Sequence, residues 1–272
     1  MKLKILYLFI IVFLITGCDA LKYNLNYHPE KFSQEGISPD STYRLIFIDN
    51  FNGNMRPEWK RSMFWSGPLY DARYPECGWY SFDNFTFTDS TVKIWVKDDP
   101  RIFGIDSVHY SIGVLDLWDW LNANDIDLQE CVIEARIKLP LSDDTWPALW
   151  TYGVKEWQTE IDIMEAWTVR PDQFTTNFHC IEGPQQQRTH RIVTRETPTG
   201  YIGSSDFHIY SLKIDTAISY YFDGFKFRTI EKLNYLIDPF TIILQNGVYP
   251  TGGWSDSYME VDWFKLYIPW KQ

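Results

Sequence analysis

The sequence predicts an all-β sandwich. Three observations carry that prediction: apolar and polar residues alternate with period two through much of the chain, short aromatic and β-branched runs are punctuated by Asn, Asp, Gly and Pro, and one stretch alone has even a short helical spacing. Arg44 to Asp49 is the first expected strand, and Tyr80 to Thr86 is read as the next, unbroken. Val92 to Lys97 alternates regularly. Leu115 to Ala123 is the short helical stretch. Cys131 to Leu139 has the clearest pattern, with Cys131, Ile133, Ala135, Ile137 and Leu139 expected inside and Glu134, Arg136 and Lys138 outside. Trp146 to Tyr152, Glu160 to Glu165 and Phe174 to Cys180 follow. Phe207 to Asp215, Ile218 to Phe222, Phe240 to Gln245 and Met259 to Ile268 complete the series, bounded by turns such as Asp223-Gly224.

The ends bear on where the chain resides. Lys2 and Lys4 precede an apolar run from Ile5 to Ile15 and then Thr16-Gly17-Cys18, the layout of a secretory signal. Ile15-Thr16-Gly17-Cys18 also resembles the bacterial lipobox, so residues 1–18 read as a lipoprotein signal, with Cys18 lipidated and first in the mature chain. The run is shorter than the roughly 20 residues of a spanning helix. A membrane is therefore expected only through that lipid, in the bacterial cell envelope, on its periplasmic or outer surface. Residues 19–40, polar and aperiodic, read as a tether, and 41–272 as one domain, since sandwiches and barrels of this size often remain undivided. The formal net charge of -11 argues against nucleic acid or an anionic membrane surface as a partner. It leans weakly against a heavily sulfated polymer. Cys77, Cys131 and Cys180 remain after Cys18, an odd number whose pairing stays open, with a buried thiol as plausible as a disulfide for Cys131. No His/Cys spacing points to zinc, and nothing demands more than a monomer.

The chemistry concentrates in Glu160-Ile161-Asp162-Ile163-Met164-Glu165, closely followed by Trp167. On a strand, Glu160 and Asp162 share one face while Ile161 and Ile163 take the other. Glu165 is out of phase, and it joins the other two only if an extra residue is accommodated. A β-bulge is therefore predicted at Ile163 to Glu165. Three carboxyls held together cannot all ionise, so one keeps its proton while another stays an anion, the division of labour that glycoside hydrolysis uses. A calcium site or a solvated strand face is the alternative reading of these six residues.

The same segment resembles the E-x-D-x-x-E signature of glycoside hydrolase family 16, retaining endo-glycanases that include laminarinases, κ-carrageenases, agarases and porphyranases. The similarity continues in order along the chain. It takes in Phe51-Asn52-Gly53, Ile133 to Pro140, Trp146-Pro147-Ala148-Leu149-Trp150, Asp206 to Tyr210, Tyr221 to Gly224, and Met259-Glu260-Val261-Asp262-Trp263. The resemblance implies a jelly-roll β-sandwich of the concanavalin A-like type, whose concave sheet forms a glycan cleft. It makes Glu160 the nucleophile, Glu165 the general acid/base and Asp162 the partner that tunes the pair. No cofactor is required for that chemistry. A structural calcium on the convex side, with Asp262 among its ligands, is implied for many relatives, although Thr88-Asp89-Ser90 departs from their Asp-Gly.

The expected partner is a polysaccharide. Aromatic faces pack well on pyranose C–H groups, but they also fill ordinary cores. Trp146 and Trp150, four apart on one strand face, and Trp167, two past Glu165, are the better binding candidates. His179 is expected beside the acid/base, with a satisfied structural histidine as the alternative. Asn246 and Trp254 fall in a segment similar to the family's glycine-rich loop, and Trp79 and Asn84 are weaker candidates. Thr159 stands where many laminarinases have Gly, and the loop after Trp150 is shorter than theirs. The substrate is thus expected to be a β-1,3 or mixed β-1,3/1,4 glucan, with a galactan as the alternative. A non-catalytic glycan-binding protein and a transglycosylase are further alternatives.

Overall fold

Residues whose side chains alternate between apolar and polar form strands because a pleated backbone sends successive side chains to opposite faces. The computed structural model describes residues 36–37, 39–66, 78–140, 145–154, 159–168, 173–182, 189–198, 206–231, 239–248 and 256–270. In chain order the elements are β1 (Tyr43–Asp49), β2 (Trp79–Tyr80), β3 (Phe85–Phe87), β4 (Val92–Phe103), β5 (Asp106–Asp116), helix α1 (Trp118–Ala123), β6 (Cys131–Lys138), β7 (Thr145–Gly153), β8 (Thr159–Glu165), β9 (Gln173–Glu182), β10 (Thr189–Pro198), β11 (His208–Ile214), β12 (Ala217–Phe222), β13 (Phe225–Glu231), β14 (Phe240–Val248) and β15 (Ser257–Pro269).

The strands follow one curled path, β10-β9-β8-β7-β14-β5-β4-β15-β6-β11-β12-β13, with β1 paired to β15, β3 to β4 and β2 to β5. All pairings are antiparallel except the short β2–β5 bridge. β5 pairs with β14 through Gly113 to Asp116 and with β4 between Asp106 and Ile112, so it carries the sheet from one layer into the other. The main core lies between the layers. Ile161, Ile163 and Met164 of β8, Phe174 and Phe178 of β9, and Ile242 and Leu244 of β14 meet Ile133, Ala135 and Ile137 of β6, Tyr210, Tyr220, Phe227 and Phe264. Each fully buried large side chain contributes about 1.5–3 kcal/mol relative to exposure. That burial holds the layer carrying β7, β8 and β9 flat against its support.

Several expectations are corrected. Tyr80 to Thr86 is two strands, not one: the backbone turns at Ser81, whose carbonyl accepts from Asn84 N and whose hydroxyl accepts from Asp83 N. The helix begins only at Trp118, because Leu115 and Asp116 stay in β5 opposite Leu244 and Ile243 of β14. β5, β10 and β13 lie outside the expected strand set. Glu134, expected outside, is buried at 1% exposure on the outer face of β6, where its Oε1 accepts from Ile37 N at 2.7 Å and from Ser211 Oγ at 3.0 Å. Cys131 is a buried thiol in the core. Cys18, Cys77 and the leader lie outside the described residues.

Candidate active site

The register shows how β8 gathers its acids. Glu160 sits opposite Tyr152 of β7 and His179 of β9, and Asp162 opposite Trp150 and Asn177. Pairing then slips, and Glu165 sits opposite Ala148 and Thr175. Against β9 the slip takes in Ile163 and Met164, against β7 Ile163 alone with Met164 opposite Leu149, and both are buried in the core at 2% and 0% exposure. This is the predicted bulge, and it returns Glu165 to the face of Glu160 and Asp162. Two adjacent apolar side chains fill the core side, which stabilises a distortion that would otherwise cost a ladder position.

Glu165 is tightly held. Its Oε1 accepts from Trp146 Nε1 at 2.7 Å, and its Oε2 from Asn177 Nδ2 at 2.5 Å and Thr175 Oγ1 at 3.3 Å. Burial first, and then the neighbouring Asp162 charge, push the Glu165 carboxyl up to about 7 against the pull of Trp146, Thr175 and the His179 charge. Burial also raises Asp162, opposed by Asn177 and by the Arg228 charge. The two carboxyls thus compete for one proton near neutral pH. His179 Nε2 lies 3.3 Å from Asp162 Oδ2 and 3.5 Å from Glu160 Oε1. The histidine therefore contacts the nucleophile candidate, with which it pairs in register, and Asp162, and its charge also acts on the acid/base candidate as expected. Asn177 and Thr175 hydrogen-bond that candidate directly. Two-residue spacing from His179 already puts both on its face, the one signal in the sequence that pointed to them.

Glu160, Asp162 and His179 bring carboxylate and imidazole atoms within 4.8 Å of one another. Asp262, the expected calcium ligand, lies on β15. Its carboxylate is engaged by the Arg136 guanidinium across the β15–β6 pair.

Aromatics build the walls. Trp146 and Trp150 share the face of the three acids, and Trp167, 37% exposed, meets the Trp146 ring at 6.4 Å. The segment before Ser66 adds residues that sequence reasoning missed: Trp65 lies 4.4 Å from the Tyr152 ring and 5.9 Å from Trp150, closing one end of this face. Three binding candidates belong elsewhere. Asn246 is fully buried on the core side of β14 and donates to Ile94 O at 3.1 Å, whereas its neighbour Gln245, opposite Ala148, is on the cleft side. Trp79 is buried, donates to Asp99 O at 2.8 Å and packs against Arg101. Asn84, also buried, donates to Trp95 O and Ser111 Oγ. Trp254 lies outside the described residues.

Comparison with known proteins agrees with this geometry. The chain is 28% identical over 199 residues to glucan endo-1,3-beta-glucosidase A1 of Niallia circulans, across 66% of this chain and 28% of that protein. It is 33% identical over 93 residues to a beta-glucanase of Rhodothermus marinus, across 29% of this chain and 30% of the relative. The chain thus spans less than a third of the length of either curated relative. The solved laminarinase catalytic domain of Thermotoga maritima MSB8 superposes with a TM-score of 0.68 at 22% identity, covering 85% of this chain and all of that one. That likeness shows the fold, a jelly-roll sandwich. The model of the family described as glycosyl hydrolases family 16 matches residues 129–265, which take in β6 to β14 and most of β15, and the chain belongs to that family.

Proposed function

We propose that the protein is a retaining endo-glycoside hydrolase of β-linked polysaccharide, acting on β-1,3 or mixed β-1,3/1,4 glucans. The observation that carries this reading is the bulged β8, which sets Glu160, Asp162 and Glu165 on one face with both Glu165 oxygens held by donors. In the first step the protonated Glu165 gives its proton to the glycosidic oxygen as Glu160 attacks the anomeric carbon, and the aglycone leaves as an alcohol. In the second, Glu165 takes a proton from water, which displaces Glu160 and regenerates the free sugar. Asp162 keeps Glu165 protonated by repulsion when it is itself an anion. His179 Nε2–H can bond either Asp162 or Glu160 and so orient the nucleophile. Trp146, Trp150 and Trp167 are proposed to pack on sugar rings. The glucan assignment is supported by the names of the two curated relatives.

Product release should be measured on laminarin, mixed-linkage β-glucan, agarose, porphyran and κ-carrageenan, with Glu160→Gln in parallel. Oligosaccharides from a glucan, reduced at least about 10³-fold in the variant, are the expected result. Products from a galactan alone would overturn the substrate class, and none from any polymer would sink the hydrolase reading. The chain is further proposed to act as a monomer anchored in the bacterial envelope through lipid on Cys18. Cys18→Ser should move it from the membrane fraction to the soluble one, and an unchanged distribution would refute the anchor.

A further inference from the structure

The bulge that brings Glu165 beside Asp162 leaves a gap across from it. The β8–β9 pairing passes from Asp162 opposite Asn177 to Glu165 opposite Thr175, so Thr176 has no partner in the β8 register. Thr176 faces the core and is fully buried. What reaches it comes from the other layer. Arg228 of β13, 6% exposed, donates through Nη1 to the Thr176 carbonyl and, at 2.6 Å, to its hydroxyl. Opposite Arg228 in register, Tyr220 of β12 packs its ring 4.9 Å from the guanidinium and donates its hydroxyl to the Asn177 carbonyl at 3.1 Å. Asn177 is the residue whose amide holds Glu165 Oε2. A chain of contacts therefore runs from the supporting sheet to the acid/base candidate.

Burying a guanidinium costs several kcal/mol unless charge and hydrogen bonds offset it. Here the Thr176 oxygens accept its hydrogen bonds and the Asp162 carboxyl of the bulged strand feels its charge. We propose that Arg228 and Tyr220 are positioning residues of this active site: they clamp β9 where the bulge unpairs it from β8 and keep Asn177 on Glu165. The proposal rests on the hydrolase reading above, so its first test needs no substrate.

That test is a ¹³C titration of the Asp162 and Glu165 carboxyls in the full chain. These groups are faced by Glu160 from β8, His179, Asn177 and Thr175 from β9, Trp146 from β7, Tyr220 from β12 and Arg228 from β13. Arg228 favours the ionised carboxyl, so Arg228→Met should raise the apparent midpoint of the pair by about one pH unit, while Arg228→Lys, which keeps the charge, should stay near wild type. In an active wild type the Met variant should also lose roughly ten-fold in kcat with KM little changed, and Lys should recover part of the loss. A folded Arg228→Met protein that titrates like wild type overturns the proposal. Should that variant not fold, Tyr220→Phe carries the test: it loosens Asn177, and an unmoved Glu165 midpoint overturns the proposal equally. A wild type that cleaves no polymer would sink the hydrolase reading and leave the titration result standing.

Discussion

Asn177 has one side chain and two neighbours to serve, which makes it the sharpest test of how the acids are tuned. Its amide donates to Glu165 Oε2, a bond that favours the anion, and it lowers Asp162 as well, while burial and the Asp162 charge favour the protonated Glu165 and win. The first chemical step requires that proton, so activity should fall as pH rises through about 7. Asn177→Ala removes a donor to the anion, and the alkaline limb of the kcat/KM profile should therefore move to higher pH, with kcat lower by roughly 10- to 100-fold. A limb that stays in place, or moves down, would refute the role given to Asn177. The gathering of Glu160, Asp162 and Glu165 on one face was legible because the parity of a strand requires a bulge to unite them. Asn246 was misread for the same kind of reason: without the β7–β14 register, nothing in the chain says that Gln245 faces the cleft and Asn246 the core, and a one-residue slip exchanges them.

Asp116 illustrates how one element fixes another. Buried at the end of β5, it accepts from Phe64 N at 2.9 Å, Trp118 N at 2.8 Å and Thr241 Oγ1 at 2.6 Å, and its backbone bridges Lys60. These contacts anchor the segment 60–66, whose Met63 packs with Ile243 and Val114, and whose Trp65 reaches Tyr152 and Trp150. Burial outweighs the three donors and pushes the carboxyl up to about 6 from 3.8. A carboxyl raised in the folded state contributes stability below its unfolded value and loses it as pH rises through the folded one. Between about pH 4 and 6 the wild type should therefore lose on the order of 2–3 kcal/mol that Asp116→Asn does not lose. Urea unfolding at several pH values reads this directly, and parallel slopes in the two proteins would count against it. The sequence concealed β5 itself: Ser111 to Asp116 are buried without interruption, so a strand covered on both faces shows no alternation to detect. It concealed the break after Tyr80 because Tyr80, Phe82 and Thr86 keep the period while Ser81 turns the backbone.

The two layers divide labour: carboxyls face outward from one sheet, and the outer face of the other can change without touching them. The residues just before the expected domain boundary test that division. Gly36 and Ile37, assigned to the tether by composition, lie against Glu134 on the outer face of β6, where Ile37 N donates to its carboxylate. Gly36 has a φ of +76, and a Cβ there would come within 2.5 Å of Glu134 Oε1, so that contact requires glycine. A chain beginning at residue 41 would leave Glu134 with the Ser211 hydroxyl as its hydrogen-bond donor among the contacts described, and a buried carboxylate that loses a donor costs about 1–3 kcal/mol. Its midpoint in urea should fall below that of a chain beginning at residue 36. Its kcat and pH profile should be the same, because the core lies between Glu134 and the acids of β8. Equal midpoints would show that residues 36–40 are tether after all, whereas a changed kcat would show that the layers are coupled more tightly than their packing implies.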